Sequence, residues 1–174
     1  MGQIGADRIV RKLDEAEGYL MLDLPTQALA ILESRDEWAT MQFEASLLTG
    51  MALRALDRYR DALEPLEVAA ALRPGDLDVA MALGWCYKRT QRLAQAIDAL
   101  ERAKVENFDE PLLHYNLACY WSLAGDPAKA LRELGEALDL DPEIRHKISD
   151  ETDFDPIRGE VEFGRVVEGK EPSS

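Results

Sequence analysis

An all-helical fold built from repeated helix pairs is what this sequence predicts, and three observations carry the expectation. Residues 77 to 144 hold one pattern written twice, as LDVAMALGWCYKRTQRLAQAIDALERA and then PLLHYNLACYWSLAGDPAKALRELGEALDLDP, at a spacing of 34. Small residues and one large aromatic recur at fixed places inside it. Turn and cap signals then divide the chain into helix-length segments, as at Pro25 and at Gly125-Asp126-Pro127.

With Gly84 as origin, Leu83 precedes it and Tyr87, Ala96, Leu100 and Ala103 follow; a shift of 34 gives Leu117, Ala118, Trp121, Ala130, Leu134 and Ala137, closed by Pro142. Helix packing explains the spacing. A missing or minimal side chain at Gly84 and Ala96 lets two axes approach to roughly 8–10 Å where the helices of one pair cross. Tyr87 or Trp121 fills the space beside them.

This period and these residue types resemble the tetratricopeptide repeat. The resemblance implies an all-α, right-handed α-solenoid (superhelix) of four TPR-like helix pairs with a C-terminal capping helix. The frame places repeats at 9–42 (degenerate), 43–76, 77–110 and 111–144, a cap at 145–167 and a disordered tail at 168–174, all in one domain.

The first segment, from Asp7 as N-cap, reads as an amphipathic helix with Ile9, Leu13, Ala16 and Leu20 on one face. Pro25 opens the second helix at the position proline favours. Arg35 stands where the first repeat should have its last small residue, and Thr40 where it should have its proline. Terminal repeats are expected to be atypical because one face meets water.

Asp36 is expected to cap a third helix that contains Trp38 and runs to about Leu56. From Gly50 the second repeat is regular, through Leu53, Ala62, Leu66, Ala69 and Pro74, apart from Pro65, which should weaken or kink its helix. In the third repeat Phe108 replaces the closing proline and is expected to be buried in a short polar turn. Beyond Pro142 the pattern changes to a short helix near 143–149, an acidic turn and a last helix near 159–167. There Phe154, Ile157, Phe163 and Val166 should cover the end of the array.

Composition narrows the function. A formal charge of −14 argues against nucleic acid and anionic membranes, which require a basic footprint. Cys86 and Cys119 sit in helices without metal-ligand spacing and read as reduced thiols. No membrane-length apolar run and no apolar signal core in MGQIGADRIVRK lead to a cytoplasmic expectation. His114 and His146 lack a nucleophile, base or second histidine at usable spacing, and neither a phosphate loop nor a zinc motif occurs. Asp150, Glu151, Asp153 and Asp155 crowd one turn, but Phe154 and Pro156 break the ligand order of a calcium loop. No enzyme activity, cofactor or metal is expected.

In the resembling family, the first helix of each repeat lines a concave groove. The corresponding positions here are Val10, Leu13, Glu17, Leu20 and Met21; Glu44, Leu47, Met51, Arg54 and Ala55; Asp78, Met81, Trp85, Lys88 and Arg89; and Leu112, Tyr115, Cys119, Ser122 and Leu123. Methionines and flat rings adapt to a bound peptide. The resemblance therefore implies a protein or peptide ligand held by Leu13, Leu47, Met51, Arg54, Met81, Trp85, Lys88, Arg89, Tyr115, Asn116 and Cys119, with no nucleic acid and no membrane insertion.

Arg54, Lys88 and Arg89 form a basic cluster suited to an acidic ligand residue. Family members that clamp a terminal carboxylate use lysine, arginine and asparagine over three repeats. Only Asn116 matches their asparagines, and Leu13 and Glu17 depart from the pattern. Alternative readings are a secretion-type chaperone holding a hydrophobic client, a self-associating scaffold such as a homodimer, or a groove covered by the chain's own termini.

Overall fold

The computed structural model describes residues 3–33 and 38–169. Expectations placed on Arg35, on Asp36 and on the tail from 170 onward lie outside these residues. The described residues are helical throughout: α1 Gln3–Met21, α2 Pro25–Leu32, α3 Gln42–Ala55, α4 Tyr59–Leu72, α5 Leu77–Arg89, α6 Leu93–Lys104, α7 Pro111–Leu123 and α8 Pro127–Leu140. A 3-10 turn at Pro142–Ile144, α9 Arg145–Ile148, a second 3-10 turn at Thr152–Phe154 and α10 Val161–Glu168 follow. They group into two compact units, residues 1–91 and 92–174, with the boundary between α5 and α6.

The repeat is written into the backbone. Asp23, Asp57, Gln91 and Gly125, each 34 residues after the last, all adopt positive φ, between 57° and 76°. Each sits where the first helix of a pair turns into the second. Aspartate tolerates this left-handed conformation and glycine adopts it freely, whereas a longer side chain is strained there by about 1–2 kcal/mol. Gln91→Gly should therefore raise the thermal midpoint and Gly125→Ala should lower it. A Cβ at Gly125 would meet nothing within 4 Å, so only the backbone term is in play.

In the first unit α1 packs on α2, α2 on α3, α3 on α4, and α5 against both α3 and α4. Ile9, Leu13, Ala16, Ala28, Leu32, Trp38, Ala45 and Ala52 form one buried cluster. Gly50 shows why the small position is small. A Cβ there would overlap the Leu66 side chain of α4, with Cδ2 at 2.5 Å. In the second unit α7 packs on α6 and α8, α10 packs on α8, and the Thr152–Phe154 turn packs on α7.

One tether recurs at the repeat period. The Tyr87 hydroxyl donates to Glu67 at 2.8 Å in the first unit, and the Trp121 indole N–H donates to Glu101 at 3.3 Å in the second. Both partners shift by 34.

Three local expectations are corrected. The first helix begins at Gln3, so Asp7 lies inside it and is not its cap. Trp38 precedes α3, which starts at Gln42. Its indole N–H donates to the Leu32 carbonyl at 3.1 Å, which ties the ring back to the end of α2 before the next helix can begin. Phe108 is not buried but 70% exposed; its carbonyl oxygen faces an imidazole nitrogen of His114 at 2.9 Å, and the ring points outward. As for Pro65, α4 continues through it from Tyr59 to Leu72. Phe154, Ile157 and Phe163 are buried in the C-terminal segment, while Val166 is half-buried.

Candidate functional site

The residues expected to line a groove meet three fates. Leu13 belongs to the buried cluster of the first unit. On α3 and α5, Leu47, Met51, Arg54, Met81 and Lys88 are half-buried, Trp85 is 39% exposed and Arg89 is exposed. These two helices pack together in one unit, so their outward positions form one face. On α7, Tyr115 is 7% and Cys119 2% exposed, and Ser122 is fully buried. Asn116 is half-buried and donates to the Leu112 carbonyl of its own helix at 2.8 Å.

The α3–α5 face is mixed in character. Half-buried Met51 and Met81 share it with Trp85, whose ring has the Lys88 ammonium 5.4 Å from its centroid, a cation–π arrangement. The Arg89 guanidinium stands 5.1 Å over the Tyr59 ring. Neither Arg54 nor Arg89 has a carboxylate partner among the described residues. Burial pushes the Cys86 thiol up to about 11, with Arg54 opposing. Cys86 is thus a packing thiol rather than a nucleophile.

The α7 face is covered from within the chain. The Phe154 ring meets Tyr115 edge-on at 5.7 Å and Phe163 at 5.7 Å. The Tyr115 hydroxyl donates to a Glu151 oxygen at 3.5 Å. Burial, then Cys119 and Glu151, push the Tyr115 phenol up. The Cys119 sulfur and carboxylate oxygens of Glu151 and Asp153 lie within 4.8 Å of one another. Both Glu151 oxygens already accept hydrogen bonds, one from Tyr115 and one from the Asp153 N–H at 3.1 Å, which accounts for the cluster as a capped turn.

Two features escape the sequence reading. Glu133 on α8 is 2% exposed, with Lys104 at 3.0 Å and Arg132 at 3.1 Å on one oxygen and His114 Nδ1 at 2.8 Å from the other. Burial would raise its carboxyl, but His114, Lys104 and Arg132 outweigh it and hold the group below the usual range. Its place beside Ala130, Leu134 and Ala137 on the apolar stripe of α8 is the signal. The second feature is a cleft of about 510 Å³ between α2, α3 and α4, lined by Leu29, Leu32, Trp38, Leu53, Pro65 and Val68 among others. α2 has 8 residues where α4 has 14, so α2 covers less of α3.

No helix among the described residues is long and apolar enough to cross a membrane. Models of the family described as tetratricopeptide repeat match residues 53–118 and 111–144. No curated protein matches the sequence. Among solved structures, the chain is similar to MamA, at 21% identity and TM-score 0.69 over 80% of each chain. It is also similar to MamA from residue 41 onward of Desulfovibrio magneticus RS-1, at 20% identity and TM-score 0.69 over 97% of this chain and 96% of that one. A third is YrrB, described as a TPR protein with an unusual peptide-binding site, at 18% identity and TM-score 0.70 over 78% and 70%. At these identities the likeness establishes the fold.

Proposed function

Because the chain is a tetratricopeptide-repeat protein, we propose that it is a non-catalytic protein-interaction module that takes an apolar peptide or helix along α3 and α5. The observation that carries this reading is Trp85, a large ring left 39% exposed on the helix that also carries half-buried Met81 and the cations Lys88 and Arg89. Apolar surface gathered in one patch marks a recognition site, and tryptophan is enriched among the residues that carry binding energy. Leu47, Met51, Met81 and Trp85 supply contact area, and Arg54, Lys88 and Arg89 meet an acidic ligand residue. In a chain of charge −14, a local basic cluster favours an acid-bearing peptide and disfavours a basic one.

Peptides selected on the intact chain from a random library provide the test. The expected winners combine apolar anchors with an acidic residue. Trp85→Ala should weaken their binding at least tenfold, about 1.4 kcal/mol, with helicity unchanged. Equal binding by a folded Trp85→Ala variant would remove α5 from the site.

A further inference from the structure

The α7 face in the second unit is occupied, and its occupant has the composition of a ligand. Residues 151–163 reach it after α9 and the exposed residues Ser149 and Asp150. The anchor is Phe154, fully buried and set edge-on against Tyr115, with acids at Glu151, Asp153 and Asp155 around it. Ile157 and Phe163 are buried behind it.

Arg158 organises the segment and also ties it to α9. Arg158 donates to the Glu151 carbonyl at 2.8 Å and to the Ile148 carbonyl at 3.4 Å, and it pairs with Asp155 at 3.2 Å. Its guanidinium also lies 5.8 Å from the Phe163 ring centroid. The hold on α7 and α8 combines an aromatic edge, one long hydrogen bond from Tyr115 at 3.5 Å, and the buried side chains of Phe154, Ile157 and Phe163. A preformed turn that grips its neighbour through an aromatic anchor loses little internal order on detaching.

We propose that residues 151–163 are an exchangeable internal ligand: they cover a peptide site on α7 that, once opened, accepts an acidic segment with a phenylalanine anchor in their place. This inference does not rest on the reading of the α3–α5 face.

The probe is a fluorescent peptide of residues 149–164 of this chain, titrated against the full-length protein by anisotropy. Wild type should bind it weakly, because the site is filled in cis. Full-length Phe154→Ala, checked for helicity, should bind it at least tenfold tighter, and the same peptide carrying Phe154→Ala should not bind. A folded Phe154→Ala protein that binds no better than wild type overturns the proposal.

Hydrogen exchange on the wild type decides the matter even if that variant misfolds. Amides of 152–163 exchanging well before those of α7 and α8 support a detachable segment. Protection equal to that of α7 and α8 makes the segment ordinary core and contradicts the proposal.

Discussion

Replacing Glu133 with alanine is expected to destabilise the protein by about 2–4 kcal/mol, because it removes the shared acceptor of a buried cluster and leaves His114 Nδ1 without its partner. Lys104 is 3.0 Å and His114 Nδ1 2.8 Å from the carboxylate that would vanish. Burial lowers the Lys104 ammonium, yet Glu101 and Glu133 together turn the net direction upward; losing Glu133 leaves this partly buried cation with Glu101 alone, at 2.9 Å. Differential scanning calorimetry should show a fall of roughly 10 °C in the midpoint. Exposed Glu136, on the same helix, is the control, and its alanine variant should stay within about 0.5 kcal/mol of wild type.

The same cluster sets a pH dependence. The Glu133 carboxyl is held below the usual range, so its contribution is fully present above the unfolded value of about 4.3. It is lost as pH falls through the lower folded value. The stability gap between wild type and Glu133→Gln should therefore narrow as pH falls below about 4.3. A gap that widens there would contradict the assignment.

Gly50→Leu carries the second large effect. Its Cβ would overlap Leu66, a residue with no exposed surface, and overpacking of such a crossing costs about 1–3 kcal/mol or more. Gly50→Ala meets the same overlap but recovers about 1 kcal/mol in helix propensity. Gly18, in α1, separates the two terms, since a Cβ there meets nothing within 4 Å. Urea unfolding should rank Gly18→Ala above wild type and Gly50→Leu well below it. Equal midpoints for Gly50→Leu and wild type would mean that α3 and α4 do not cross at this glycine.

The repeat was legible because helix crossings force small residues to fixed places, and the spacing survives where residue types do not. Asp23 and Gln91 share a backbone conformation with Gly125 although no residue-type pattern links them. Trp85 could be read as an outward position because it follows Gly84, the small residue at the crossing. Tyr115 and Cys119 could not be read as covered, because their cover comes from Glu151 and Phe154, dozens of residues away and outside the repeat. Lining offsets describe an open helix face; they carry no information about a segment folded over it. Trp38 and Phe108 depart from their expected places for a related reason: the Trp38 indole is held by the Leu32 carbonyl and the Phe108 carbonyl by His114, and such partners leave no local signature. Glu133 reads as one more charge on an amphipathic helix, although it stands on the apolar stripe.

Hydrogen–deuterium exchange of the intact chain with and without a selected peptide tests the central claim most directly. Protection confined to residues 47–54 of α3 and 81–89 of α5, and lost with Trp85→Ala, is the predicted footprint. Protection elsewhere with α3 and α5 unchanged, or tight binding that leaves Trp85 indifferent, would contradict it.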